Sequence, residues 1–404
     1  MPGKMTLNLD HSVGKAGTHQ TLRVEGAGVE DFLGGARLQY LVEGQRFGPP
    51  ALLDGAMFGV ILIAMQLAAP LRIKGAVSGE AVRNAYAFQE AWACMVPQRF
   101  QVVEIEPDRV IETRKPLRGR AVSAFSGGLD GSFTAVRHAR KLVGNGSYNL
   151  THAVMIQGFD VHLGNRTDFE SLRRRVAPLL AELEIELISV QTNMKTPDLR
   201  RPRFHPQPYM FSQAAQIACI LHAISGPFDQ GLIGSTEPYS GLCMPWASNP
   251  ATDYLLSGAG LQIVHDGAGY ARVEKAELLA RYPTALKTLR VCWDGKQQDR
   301  NCGVCEKCVR TRLNFLAVGV ADPPCFDQPL DETMVASIST LSPTVLGEAK
   351  ATADYAEKAG ISASWLTRLK ARIEELERAE REGDAPPWGR YAAQPVSRTL
   401  MASR

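Results

Sequence analysis

Residues 126–132 read Ser126-Gly127-Gly128-Leu129-Asp130-Gly131-Ser132, between a short apolar run (121–125) and a helical pattern (133–143). A glycine pair between strand and helix lets the backbone turn sharply and approach a polyphosphate with no side chain in the way. The loop and helix-start N–H groups then point at the anion. Ser126 and Ser132 add hydroxyl donors. Asp130 would repel phosphate by itself, so its presence is accounted for by Mg²⁺ bridging the phosphates. The loop is not a Walker A, since no Gly-Lys-[Ser/Thr] ends it. Nor is it the G-x-G-x-x-G dinucleotide fingerprint.

Downstream the same alternation repeats. Strands are predicted over 152–157, 185–191 and 230–234, with helices over 168–183 and 210–224. Strand–helix alternation predicts an α/β fold, a parallel sheet with helices on both faces. Ligands in such sheets sit at the carboxyl ends of the strands, which makes Gly158 and Phe159, after 152–157, and Gly234 and Ser235, after 230–234, candidate ligand-binding residues, a simple turn being the other reading of 158–160.

The 404 residues suggest two to three domains at about 150 residues each. Residues 1–118 read as an additional α+β unit of unassigned role. It has strands over 21–24 and 38–42, helices over 51–69 and 79–94, and two strands (100–105, 109–112) around Glu106-Pro107-Asp108. Residues 114–120 read as a linker, 119–322 as the phosphate-loop domain and 323–404 as a helical extension. In that extension Trp365, Leu366, Leu369, Ile373 and Leu376 form a helical stripe. The plain reading is a packed cap.

Net charge +3 is too small a surplus to argue for nucleic acid as a partner. The apolar run 57–71 contains Gln66 and falls short of the roughly 20 residues a membrane span needs, so it reads as a buried core helix. No export signal opens the sequence, and a cytoplasmic, reducing compartment is expected.

Cys292, Cys302, Cys305 and Cys308 are bunched, whereas Cys94, Cys219, Cys243 and Cys325 are scattered. Four thiolates at short spacing close a tetrahedron around Zn²⁺, and Gly303 permits the tight turn between ligands. A ferredoxin-type run would carry its next cysteine at position 312, which is Arg312. Structural zinc is therefore expected.

Ser126-Gly127-Gly128-Leu129-Asp130 resembles the SGGxD signature of the PP-loop ATP pyrophosphatases, which share a nucleotide-binding α/β fold of the HUP type. Together with the cysteine spacing it resembles, over roughly 120–318, the 7-cyano-7-deazaguanine synthase branch. The resemblance implies ATP cleaved to AMP and pyrophosphate, a carboxylate adenylated, and ammonia or an amine displacing AMP. It implies ATP, Mg²⁺ and Zn²⁺ as cofactors and a small-molecule carboxylate, a deazapurine among the candidates, as partner; it allows a homodimer. By the same resemblance Asp130, Ser132 and Lys275 are catalytic, Lys275 in Lys275-Ala276-Glu277 reaching a phosphate. The adenine falls near Gly158-Phe159-Asp160. There are two departures. Gly131 stands where the family usually has Ser or Thr. The segment 234–253 does not match the branch's substrate loop.

Three further functions remain open. One is a relative acting on a protein or peptide acceptor, which the added domains favour. Another is a tRNA thiolase, weakened by the lack of a spare cysteine pair. The last is a nucleotide-binding scaffold that has lost catalysis, for which Gly131 is the support. Arg200, Arg201, Arg203 and His205 read as a solvated basic loop, and His265 as a turn residue before a catalytic one. No HExxH or G-x-S-x-G motif supports a hydrolase.

Overall fold

The computed structural model describes residues 3–29, 37–112, 118–195, 209–292, 294–339 and 343–382. Ten strands form one sheet. They are β1 (Met5–Gly14), β2 (Gly17–Glu25), β3 (Leu38–Glu43), β4 (Leu71–Ser78), β5 (Ile105–Ile111), β6 (Ala121–Ala124), β7 (Leu150–Gln157), β8 (Glu186–Thr192), β9 (Gln230–Gly234) and β10 (Gln262–Asp266). Their order is β10-β9-β6-β7-β8-β3-β2-β1-β4-β5. The five strands from β6 onward pair in parallel. The chain leaves β6 toward β7 and β8, then returns to lay β9 on the other side of β6. That reversal opens a crevice at the carboxyl end of β6, where ligands of doubly wound sheets bind.

Helices cover both faces. On one lie α1 (Asp54–Leu67), α2 (Gly79–Met95) and α5 (Tyr209–Ala223), over Val122, Val154, Ile188 and Ile233. On the other lie α3 (Leu129–Ala139), α4 (Arg166–Glu182), α6 (Arg272–Ala280), α7 (Pro283–Thr288) and α8 (Glu306–Ala317), over Ala121, Ala153, Met155 and Leu232. The alternation of Val122 with Ala121 and of Ile233 with Leu232 between the two cores is the period of a strand buried on both sides.

The N-terminal strands continue this sheet, because β3 pairs antiparallel with β8 through Tyr40–Thr192, Leu41–Gln191 and Val42–Val190. The apolar run at 57–71 is mainly α1, buried from Asp54 to Met65. Gly55 and Gly59, one turn apart, let α1 lie against α5. A Cβ on Gly55 would stand 2.3 Å from His222 Cβ, and one on Gly59 2.8 Å from Cys219 Sγ.

Three predicted elements differ. Residues 100–112 hold one strand, β5, which runs through Pro107. It lies at the sheet edge, where a missing N–H breaks no ladder bond. The helix predicted from 133 starts at Leu129, inside the loop, and ends at Ala139. Strands β1 and β4 were not anticipated.

The last helices, α9 (Pro343–Lys358) and α10 (Ser364–Glu382), form a third core with the outer side of α8. The predicted stripe is its buried face: Trp365, Leu366, Leu369, Ile373 and Leu376 are all buried. Among the described residues no helix is long and apolar enough to cross a membrane.

Candidate functional site

The loop after β6 is held from both ends. Arg290 N–H donates to Gly127 O at 2.8 Å, and Phe125 N–H to Val154 O at 2.9 Å. Gly127 has φ +75°, and a Cβ there would press on Val176 Cγ1 at 3.0 Å. This position requires glycine. Gly131 differs: a Cβ there would meet Ala124 O and Phe125 at 3.5 Å, ordinary contact. Ser132 is buried, and its N–H donates to Gly128 O at 3.0 Å as α3 begins. Gly128 caps α3 with no side-chain acceptor. The first amides of the helix therefore face the crevice without a protein partner on their cap, the arrangement that receives an anion.

Cations surround this helix start. Arg272 and Lys275 stand one turn apart on α6 and meet Asp130: Arg272 Nη1 lies 2.5 Å from Oδ2, and Lys275 Nζ lies 3.4 Å from Oδ1. Lys275 Nζ also donates to Ser235 O, in a loop pinned by Ser235 N–H to Asp266 O at 2.7 Å. Gly234 is needed there, because a Cβ would stand 3.0 Å from Asp130 O. Burial opposes ionisation of Asp130, but the Arg272 and Lys275 charges outweigh it and hold the carboxyl below its ordinary range. Burial pulls the Lys275 ammonium down, with Asp130 pulling the other way.

A second group of cations gathers around Asp160. Arg290 Nη1 lies 3.6 Å from Asp160 Oδ2, and its side chain is almost wholly buried. Lys195 Nζ donates to Phe159 O at 3.1 Å. Burial also lowers Lys195 and Lys307; Asp160 acts on both, and Asp130 on Lys307 as well. Five cations (Lys195, Arg272, Lys275, Arg290 and Lys307) thus gather around Asp130 and Asp160, with Glu348 as a third carboxylate on Arg272. Glu348 of α9 extends the network, reaching Arg272 Nε at 3.0 Å and pairing with Arg310.

Gly158 closes a tight turn. It has φ +109°, and its N–H donates to Val161 O at 2.7 Å. Phe159 is buried in the core beneath it. His265 turns away from the phosphate loop. Its Nδ1 lies 2.8 Å from Oδ2 of buried Asp253, which also accepts from Ser248 Oγ at 2.7 Å. The basic loop Arg200, Arg201, Arg203 and His205 lies outside the described residues.

Cys292, Cys302, Cys305 and Cys308 converge, with all four sulfurs within 4.8 Å of one another. Cys292 Sγ lies 3.7 Å from Cys305 Sγ, and Cys302 Sγ 3.9 Å from Cys308 Sγ. Zn–S bonds of about 2.3 Å in a tetrahedron put sulfurs roughly 3.8 Å apart, so the donor set fits zinc. Hydrogen bonds from Cys305 and Cys308 pull the Cys292 thiol down, while Cys292 pushes those two up. Four thiolates leave no open coordination position, which makes the centre structural.

Magnesium fits the loop less well. Both oxygens of Asp130 face side-chain cations, so Asp130 as placed is the counter-ion of Arg272 and Lys275. Sequence reasoning missed Arg272, Arg290, Lys195 and Lys307. Signals existed for three of them: Arg272 precedes Lys275 by one helical turn, Lys307 sits between Cys305 and Cys308, and Arg290 stands two before Cys292. In comparisons with known proteins, the chain matches no family model, no curated protein and no solved structure.

Proposed function

We propose that the chain is an ATP-dependent ligase of the PP-loop type, which forms AMP and pyrophosphate while activating a carboxylate for attack by ammonia or an amine. The observation that carries the reading is the start of α3, which has no side-chain cap, beside Arg272, Lys275 and Lys307, whose charges act on Asp130 in its first turn. A carboxylate oxygen attacks the α-phosphorus of ATP, and the bond to the β-phosphate oxygen breaks. The loop amides, Lys275 and Arg272 stabilise charge on the departing pyrophosphate. The amine then attacks the acyl carbon and AMP leaves with the bonding pair. Asp130 keeps Lys275 and Arg272 aimed and charged. Magnesium accompanies the triphosphate as part of the substrate.

A macromolecular acceptor is the second reading, favoured by apolar side chains on the loops following β9 and β10. Tyr239, Met244, Tyr254 and Tyr270 are 63%, 39%, 56% and 41% exposed. Tyr270 packs on Phe133, whose ring lies 5.6 Å from Lys275 Nζ. This rim suits a peptide carrying the amine.

The deciding experiment is mass spectrometry of products after incubation with ATP, candidate acids including 7-carboxy-7-deazaguanine, and either ammonia or a peptide amine. Acid-dependent AMP and pyrophosphate are expected. ADP and phosphate, or no nucleotide cleavage with any acid, would sink the ligase reading.

A further inference from the structure

The metal-bearing segment and the phosphate loop share a wall. Arg290 precedes Cys292 by two residues, and Lys307 stands directly before Cys308. Arg290 touches the loop through its backbone, its N–H bonding Gly127 O at 2.8 Å. A Cβ on Gly128 would lie 3.7 Å from Arg290 O. The Arg290 side chain is almost wholly buried beside Asp160, and its Nε has no hydrogen-bond partner among the described residues. Lys307 is the second residue of α8, and its ammonium lies within the field of Asp160 and Asp130. The fold thus brings two cations to the crevice from the segment that carries the four cysteines. Residues 293–305 carry no regular secondary structure where described. Asn301 ties Val291 and Cys292 by their N–H groups and reaches Leu289 O and Cys325 O. Gln298 N–H donates to Asp168 Oδ2 and Ser171 Oγ to Asp299 Oδ2, each at 2.6 Å, tying the segment to α4, and the four converging sulfurs hold the stretch that carries Arg290 and Lys307.

We infer that Arg290 and Lys307 are polyphosphate-binding residues, and that metal on the four cysteines holds them at the loop, making anion affinity depend on the metal. This rests on the proposed phosphate site and assigns it a second wall. A long cation spends its binding energy on being ordered unless it is fixed beforehand. The cysteine centre does that fixing, as outer supports orient a site in metal proteins.

The test is calorimetric titration of the full chain with inorganic pyrophosphate, beside metal analysis and circular dichroism. Lys307→Met keeps the side-chain volume and all four cysteines. It should retain zinc and weaken pyrophosphate binding by about 10- to 100-fold, the loss of one charge-assisted contact. Lys296→Ala, exposed in the same segment, should bind as wild type. Chelation that removes zinc and leaves the circular dichroism intact should weaken binding more than Lys307→Met does. Unchanged affinity in Lys307→Met, or equal affinity with and without zinc in a folded chain, overturns the inference and leaves the ligase reading standing. Failure of the wild type itself to bind pyrophosphate would instead remove both.

Discussion

Arg272 Nη1 stands 2.5 Å from Asp130 Oδ2, so the carboxylate that opens α3 and the first residue of α6 form one buried ion pair. Lys275 adds a second cation on the other oxygen, 3.4 Å away. Asp130 therefore has two duties, in packing and in chemistry. Asp130→Asn keeps the shape and removes the charge that compensates two buried cations. Pyrophosphate formation is expected to fall by at least about 100-fold, because Arg272 and Lys275 lose their orientation. Stability should fall by about 1–3 kcal/mol, the penalty of leaving buried charge unpaired. Thermal melts beside a pyrophosphate-release assay check both; a variant with full activity would refute the assignment.

The two unusual loop glycines should respond in opposite ways. Gly127 has a positive φ and Val176 Cγ1 within 3.0 Å of a Cβ, so Gly127→Ala should cost about 1–2 kcal/mol and displace the loop. Gly131 has neither constraint, its nearest neighbours standing at 3.5 Å. Gly131→Ser should fold as wild type and be neutral or mildly harmful to turnover. Ser132→Ala should lower turnover by about 10- to 1000-fold if Ser132 supplies the hydroxyl donor. Were the chain a retired enzyme, Ser132→Ala would change nothing and Gly131→Ser would raise ATP cleavage.

One zinc per chain is expected on Cys292, Cys302, Cys305 and Cys308. Elemental analysis should show it lost in Cys305→Ser, with hydrogen exchange rising in the segment around 290–315. Iron in place of zinc, or zinc retained in Cys305→Ser, would refute the assignment.

The parallel half of the fold was legible in the sequence because β6 to β9 are apolar runs separated by helical periods, and each strand is buried on both faces. β1 was not legible. Its buried positions, Met5 and Leu7, are followed by Asp10, His11 and Ser12, and its pairing is supplied by the hairpin partner β2 and, at long range, by β4. β4 was hidden because Pro70 looked like the end of the apolar run, whereas it bridges α1 to a new strand. Motifs exposed the loop and the cysteines, whose chemistry is local in sequence. The cationic group was hidden because Lys195, Arg272 and the cysteine segment with Arg290 and Lys307 are three separate parts of the sequence that converge only through the fold.

That group also sets a pH dependence, clearest at Lys275, which is wholly buried. Burial lowers its ammonium below the ordinary lysine value of 10.5, against the pull of Asp130. In the window between the lowered native value and 10.5 the unfolded chain binds more protons than the folded one. Stability must then rise with pH across that window. The contribution is fully present above 10.5 and is lost as pH falls through the window to the native value. Lys275→Met carries no proton in either state, so the difference in melting temperature between wild type and variant should shift in favour of wild type as pH climbs toward 10.5. Bound pyrophosphate favours the charged ammonium and should flatten that trend. Melting curves across this range, with and without pyrophosphate, measure both effects. A difference that stays constant with pH would mean that Lys275 titrates as an ordinary lysine and that burial does not tune it.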